Sequence, residues 1–446
     1  MSTSENSRVL IVGMGIAGLA TAARLHRSGF DPVIVEKAPG RRTGGYFIAL
    51  FGAGKAAAQR LGLLDRLHDR SPAQSAVDID RAGHRQPGLS FQDAPGKPWM
   101  LLRGDVEQAA YATLPAEVEI RYATTPTAIS QDAEGVDVTL LDTATGRSQT
   151  ERFALVIGAD GLRSTVRRLA FGPHEDYLER MGYMIAAYRY PGAAPVGLRP
   201  GESATLLEPE RSMTVFAYRD HDPTVLLSWR SEDIDAEFTA PPIDRIRAAF
   251  GPEPFGETLS DVIDAFERTE APLFDSVEQV KLESWRRGRV LLIGDSAWCV
   301  TLYAGMGVSA GLTGAELLGT MLDRHPGDLD AALTEWEQGL RPYVADWQTS
   351  GHTQRAFFVP PTRHQIAVRR LMMRALQWPF VGRLIAKVMP GPDIASKETD
   401  IVAAVTSRPT AGSTAVSTDS TDSAEDRPSP TQQDPEGTSV AADATA

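Results

Sequence analysis

Four short stretches of this chain are apolar without interruption: Val9-Leu10-Ile11-Val12, Pro32-Val33-Ile34-Val35, Ala154-Leu155-Val156-Ile157 and Val290-Leu291-Leu292-Ile293. Runs of that length, without polar alternation, predict strands buried on both faces, as in a parallel sheet. Between the first two, Leu19 to Ser28 has helical spacing through Leu19, Ala22 and Ala23, and Gly29 ends it. The middle of the chain reads differently. Ser203 to Leu207, Met213 to Tyr218 and Thr224 to Trp229 are short alternating or apolar runs separated by charged turns, which predicts an antiparallel sheet. Helices are predicted at Ile243–Phe250 and Ser260–Glu267. Another runs from Asp328 to Gln348, on Leu333, Trp336, Leu340, Val344 and Trp347. Ile366 to Val388 is basic and amphipathic, carrying Arg369, Arg370, Arg374, Arg383 and Lys387. It reads as a packed helix with a solvated basic face, broken at Pro379.

With 446 residues the chain exceeds what one core holds. The pattern divides it into a discontinuous α/β domain (1–175 and 272–350), with 73–99 assignable to its neighbour. A β-sheet domain (176–271), C-terminal helices (351–406) and a disordered tail (407–446) complete it. From Pro409 onward seven acids face Arg427 alone, in a Ser/Thr/Pro/Ala-rich stretch that cannot offset its ordering entropy by burial. The net charge of −13 argues against nucleic acid as a partner. The single cysteine, Cys299, excludes an intramolecular disulfide and suits a reducing cytoplasm. No signal pattern opens the chain, and no run of about 18 apolar residues predicts membrane insertion. The histidines lack metal-ligand spacing, so no metal is expected. A monomer and a homodimer are both compatible with the sequence.

The first strand runs into Gly13-Met14-Gly15-Ile16-Ala17-Gly18, and the second ends in Glu36-Lys37. Gly13 permits a tight turn, Gly15 lets backbone approach a pyrophosphate, and Gly18 lets the helix pack close to the strand. The helix N-terminus offers free N–H groups to phosphate, and Glu36 is spaced to accept ribose hydroxyls. An acid at position 36 disfavours a 2′-phosphate. Strand, glycines, helix and acid together make a Rossmann-like dinucleotide site, which leaves FAD and NAD as alternatives.

Two later segments separate them. The strand at 154–157 ends in Gly158-Ala159-Asp160-Gly161, and the strand at 290–293 ends in Gly294-Asp295. Gly305-Met306-Gly307-Val308-Ser309 then opens a helix. In this order the motifs resemble the class A flavoprotein monooxygenases, the family of para-hydroxybenzoate hydroxylase and the tetracycline-degrading monooxygenases, over roughly residues 8 to 345. The fold class implied is α/β with an α+β insert: a Rossmann-like FAD-binding domain, a β-sheet substrate domain and C-terminal helices. The resemblance assigns Gly13, Gly15, Ile16, Ala17, Gly18, Glu36 and Lys37 to the ADP half of FAD. It places Arg42 and Arg103 against FAD, Asp160 in an Asp-Gly motif serving FAD and the nicotinamide donor, and Asp295 on the ribityl chain. Gly305, Met306, Gly307 and Val308 would face the flavin edge, where a helix N-terminus stabilises the reduced anion.

The implied activity is a single-component reaction. NADPH or NADH binds transiently and reduces FAD, and one atom of O2 passes through a flavin C4a-hydroperoxide to an aromatic or polyketide-like small molecule, in secondary metabolism or aromatic degradation. Only one Gly-rich nucleotide fingerprint is present, and the Trp-x-Trp-x-x-Pro signature of flavin halogenases is absent. The loop Trp298 to Ala304 departs from the family: it lacks proline, Trp298 stands where histidine is usual, and Ser309 stands where asparagine is usual. Hydroxylation, epoxidation, Baeyer–Villiger insertion and redox-neutral rearrangement therefore stay open, as does a non-oxygenating flavoenzyme of the same fold. Pocket candidates are Tyr46 and Phe47, which follow Gly44-Gly45, together with Tyr190, Phe216, Trp229 and Trp298. Arg189, Tyr190 and His352 are candidates for a base, and no catalytic residue is assigned.

Overall fold

The computed structural model describes residues 7–41, 45–88, 90, 96–376 and 392–407. Arg42, the Pro379 break and the tail beyond Ser407 lie outside the described residues. The four apolar runs become neighbours in one six-stranded sheet. Its strands are β1 (Arg8–Val12), β2 (Asp31–Val35), β7 (Glu119–Arg121), β11 (Leu155–Gly158), β17 (Arg286–Arg287) and β18 (Val290–Leu292), in the order β17-β18-β11-β1-β2-β7. All pairs are parallel except β17–β18. Val9 to Val12, Leu155 to Ile157 and Val290 to Leu292 are almost fully buried, as continuous apolar runs require.

Helix α1 (Ile16–Arg27) and α9 (Gly307–Arg324) pack on this sheet and on each other. Glycines of α9 make the contact: Gly311 lies against Ala17 of α1 and Gly319 against Arg24. Close approach follows; a Cβ on Gly311 would lie 3.4 Å from the Ala17 Cβ. Helices α2 (Gly52–Arg60), α3 (Arg103–Tyr111), α4 (Thr165–Ala170) and α8 (Asp295–Trp298) complete this part. Two small antiparallel sheets flank it, β3 (Phe47–Leu50) with β6 (Trp99–Leu102), and β8 (Thr124–Gln131), β9 (Val136–Asp142) and β10 (Ser148–Phe153).

The three middle runs form β13 (Ala204–Glu208), β14 (Arg211–Phe216) and β15 (Thr224–Arg230). They join β12 (Leu178–Arg189), β16 (Leu273–Val280), β4 (Val77–Ile79) and β5 (Arg85–Pro87) in a seven-stranded sheet, in the order β16-β12-β15-β14-β13-β4-β5. Its two faces separate by period-2 alternation. Met184, Ala186, Tyr188, Met213, Val215, Val225, Leu227 and Trp229 pack under α5 (Ile234–Glu237), α6 (Pro242–Phe250) and α7 (Gly256–Arg268). The alternate residues, among them Ile185, Phe216, Leu226 and Ser228, face the other way, toward the six-stranded sheet's side of the molecule.

The helix read from Asp328 extends further than its pattern suggested, as α10 (Leu329–Phe358). It runs through Pro342, its buried stripe continuing over Leu340, Val344, Trp347 and Ser350. Asp328 caps it, its Oδ1 accepting from the Ala331 amide at 3.0 Å. Beyond lie α11 (Arg363–Leu376), α12 (Pro392–Glu398) and α13 (Ile401–Thr406). Trp336 of α10 is fully buried against Trp285 and Trp298, and its Nε1 donates to the Gly314 carbonyl at 2.9 Å. Deleting an indole from such a site leaves a cavity that the surroundings only partly fill. We predict that Trp336→Ala lowers unfolding free energy by about 3–5 kcal/mol, measured by urea denaturation; a loss near zero would show that this cluster does not hold α10 to α9.

Candidate functional site

The carboxyl ends of β1, β2 and β11 open onto one cleft, of about 260 Å3. Gly13, at φ +105°, turns the chain after β1, and its amide donates to the Val35 carbonyl at 2.8 Å. A Cβ there would lie 2.5 Å from the Ala159 carbonyl oxygen, and one on Gly18 would lie 2.0 Å from the Gly13 oxygen. Both glycines are thus required by packing within the protein. Gly15 differs: its Cβ would meet only the Arg103 Nη2, at 3.8 Å, so its empty side faces the cleft. The α1 N-terminus begins there without a side-chain cap, leaving amide donors and the positive dipole end directed at whatever occupies the cleft.

Glu36 ends β2 with both carboxylate oxygens anchored. Oε2 accepts from the Met14 amide and Oε1 from the Ala38 amide, each at 2.9 Å. Each oxygen keeps acceptor capacity for a hydroxyl. Arg103, at the start of α3, reaches the same cleft and pairs with Glu107 at 2.7 Å. Lys37 lines the rim. Asp160 is in the cleft wall, but both oxygens serve α4: Oδ1 accepts from Ser164 Oγ at 2.5 Å and Oδ2 from the Thr165 amide at 2.6 Å. Burial raises its pKa, and these hydrogen bonds oppose the rise. Arg163, just after the Asp160-Gly161 turn, also lines the cleft, as do Arg41, Glu107, Thr124 and Thr125, which sequence reasoning missed. Arg41 stacks on Tyr111 at 4.1 Å. None of the missed residues carries a local motif; chain topology alone brings them together.

The second part of the site lies where β18 gives way to α8. Asp295 is deep in the molecule, yet its surface is accessible, as is that of Gly307 at the start of α9. Both therefore line a void. A Cβ on Gly307 would sit 3.9 Å from Asp295 Oδ1, so the carboxylate and the turn share one wall. Crowding by protein raises the Asp295 pKa, and the Arg103 charge acts against it. Gly305 adopts φ +69°, Met306 caps α9 through its backbone, and no side chain caps that helix. Its first amides, at Gly307 and Val308, are thus free to meet an anionic edge. Ser309, fully buried, has a hydroxyl without a partner. The preceding loop holds Thr301 at φ +70°, a conformation costing about 1–3 kcal/mol in a non-glycine residue.

Tyr46, in the electrostatic range of Asp295, leads through Phe47 to the inner side of the seven-stranded sheet. Phe47 stacks on Phe216, ring centres 4.1 Å apart and nearly parallel. Met100, Leu102, Tyr218 and Leu226 pack around them. Tyr303 reaches the same face, its hydroxyl 2.8 Å from Ser228 Oγ. Tyr46 precedes Phe47 and is more than a third exposed, with Arg103 and Asp295 among the charges acting on its hydroxyl.

Three pocket candidates are not brought to this face. Trp229 and Tyr190 have the opposite alternation: Trp229 packs against Phe274, and Tyr190 donates to Asp261 at 2.7 Å, on the helix side. Trp298 is buried against Trp285 at 4.5 Å. The base candidates are engaged elsewhere, Arg189 with Asp222 at 2.7 Å and His352 with Glu179 at 3.0 Å. Among the described residues no cluster of His, Cys, Asp and Glu is placed to hold a metal ion, and no helix is long and apolar enough to cross a membrane.

The contrast between the glycines is testable. Gly18→Ala should compromise folding, because its Cβ meets backbone. Gly15→Ala should leave the apoprotein melting temperature within a few degrees while weakening cofactor binding by about tenfold or more, an effect on the order of 1.4 kcal/mol. Thermal melts and flavin titration measure both; equal effects on folding would contradict the division of roles.

The comparisons with known proteins agree with this geometry. Residues 6–326 match the family described as FAD binding domain. A flavin-dependent monooxygenase of Legionella longbeachae is 27% identical over 76% of this chain and 87% of its own length. The crystal structure of tetracycline destructase Tet(55) superposes with a TM-score of 0.69 at 26% identity, covering 84% of this chain and 97% of that one. Klebsiella pneumoniae HpxO, solved with FAD and uric acid, gives 0.66 at 18% identity, over 87% and 98%. The void beside Asp295 and the open cradle at Gly15 suit a flavin dinucleotide, and the chain belongs to the FAD binding domain family as an FAD-dependent monooxygenase.

Proposed function

We propose that the protein is a single-component, NAD(P)H-driven hydroxylase of an aromatic or polyketide-like small molecule. The observation that carries this reading is the aromatic sheet face, Phe216 stacked with Phe47, next to Tyr46, whose hydroxyl lies in the electrostatic range of Asp295. In this reading the amides of Ile16, Ala17 and Gly18 hold the pyrophosphate with Arg103, and Glu36 beside Lys37 takes the adenosine ribose. Asp295 accepts from the ribityl hydroxyls. The backbone of Gly305, Met306, Gly307 and Val308 borders the flavin ring, and Asp160 shapes the cleft by holding the first amides of α4 and its N-cap Ser164. Bound FAD supplies hydride acceptance and oxygen activation.

The chain's own residues do the rest. The uncapped α9 N-terminus favours negative charge at the ring edge, which lowers the cost of accepting a hydride. Phe47, Phe216 and Leu226 hold a planar substrate and keep water from the reacting atoms. Tyr303, whose pKa is raised by burial, stays protonated and keeps its hydroxyl on Ser228. A lone buried cysteine supports placing the enzyme in the cytoplasm.

The direct test supplies 18O2 to the NAD(P)H-reduced holoenzyme with phenolic and polyketide substrates. A product two mass units heavier than that formed in 16O2 is expected; flavin that reoxidises with no labelled product from any of them would overturn the reading. Phe216→Ala should raise KM by about tenfold, consistent with roughly 1.5–3 kcal/mol for a buried apolar side chain. It should also divert reducing equivalents to hydrogen peroxide, measured as peroxide formed per NAD(P)H consumed. Unchanged coupling would remove Phe216 from the substrate wall.

A further inference from the structure

The inner face of the seven-stranded sheet does not end at its aromatic residues. Register places Asp78 opposite Thr205, Thr205 opposite Thr214, and Thr214 opposite Leu226, on one transverse row of that face. Thr205, Thr214 and Leu226 are only half-buried, although they lie in interior strands whose other face is covered by helices. The row is therefore the floor of a trough. Phe216 stands beside it, two residues along β14 from Thr214. With strands ~4.8 Å apart and a rise of ~3.4 Å per residue, Asp78 lies roughly 12 Å from Phe216.

The far end of this trough is polar in a manner the fold itself does not use. Helix α11 packs on β13 and brings Arg369 and Arg370 into the electrostatic range of Asp78. Arg369 was expected on a solvated basic face; instead it is 9% exposed, its guanidinium 4.5 Å from the centre of the Phe357 ring. Its Nε and Nη1 are buried without a hydrogen-bond partner, as are Asp78 Oδ1 and Arg370 Nε. Burial raises the Asp78 pKa and lowers that of Arg369, each opposed by the other's charge. Buried polar atoms of this kind are ordinarily satisfied, and leaving several unsatisfied in one place is costly unless a ligand completes them. Two guanidiniums against one carboxylate leave an excess positive charge, which selects an anion. The planar N–H fork of Arg369 matches a delocalised oxyanion.

We propose that Asp78, Arg369 and Arg370 form a recognition site for an acidic oxygen substituent, a carboxylate or an acidic enol, at the end of the substrate remote from the reacting ring. The anion is held by Arg369 and Arg370, and an adjacent hydroxyl donates to Asp78. The distance from Phe216 sets the size class: one ring stacked on Phe216 does not reach Arg369, whereas a fused polycyclic acid lying along Thr214 and Thr205 does. This assignment rests on the reading of the sheet face as the substrate wall.

The test titrates the FAD-loaded protein with a dihydroxyanthraquinone carboxylate and with its methyl ester, following the flavin spectrum. The wild-type protein should bind the acid about tenfold or more tightly than the ester, as expected for a charge-assisted hydrogen-bonded pair. Arg369→Gln should bring the two affinities together, and Arg369→Lys, which keeps charge but loses the fork, should give an intermediate preference. Wild-type protein that binds both equally, or neither, overturns the assignment, as does a preference that survives in Arg369→Gln. If Arg369→Gln fails to take up FAD, the acid–ester ratio in wild-type protein and in Arg369→Lys still decides. Failure of the hydroxylase reading is seen separately, as absent 18O incorporation. An acid preference that disappears with Arg369 would stand without it.

Discussion

The site depends on how closely the start of α1 approaches the ends of β1 and β11. No side-chain atom fits between Gly18 and the Gly13 carbonyl, or between Gly13 and Ala159. That contact holds the first turn of α1 against the sheet with its amides directed outward. It also sets the cradle's third wall, because Glu36 ties the loop to β2 through Met14 and Ala38. α9 repeats the device on the other side, where small residues pack against α1 and an uncapped N-terminus faces a void. Two helix N-termini thus face two openings, one suited to an anionic dinucleotide and the other to a reducible ring.

The second constraint is the two-sidedness of the seven-stranded sheet. One alternation of each strand is committed to α5, α6 and α7, which leaves the other alternation for a second surface carrying Phe216, Tyr218 and Leu226. In the proposed reading a single sheet therefore serves as a hydrophobic core on one side and as a substrate wall on the other. The shift from aromatic residues at Phe216 to buried charge at Asp78 and Arg369 gives that wall a direction.

What was legible in the sequence was local. The buried strands, the glycine turn, Glu36 and the turn at Gly305 could be read because each needs a particular residue at a particular place. The three middle strands could be read from their alternation. Which face each strand presents could not, since a period-2 pattern with apolar residues on both faces gives no sign of direction; Trp229 and Tyr190 were misplaced for that reason. Trp298 sits in a motif loop, but its indole turns back into the space between α9 and α10. Arg369 lies on a helix whose arginines suggested solvent, and only the packing of α11 on β13 buries it. Asp160 falls in the expected motif and lines the cleft, while its hydrogen bonds to the first amides of α4 could not be read from the sequence.

The central claim is that the void between Asp295, the Gly305–Val308 turn and the Phe47–Phe216 stack holds the reactive ring, with the inner sheet face opposite it. A crystal structure of the FAD-loaded protein tests this most directly. The account predicts the ring bordered by the backbone of 305–308, the ribityl chain on Asp295, and the reactive edge open toward Phe216 and Leu226. A ring seated elsewhere, or one whose reactive edge faces away from that sheet, would contradict it.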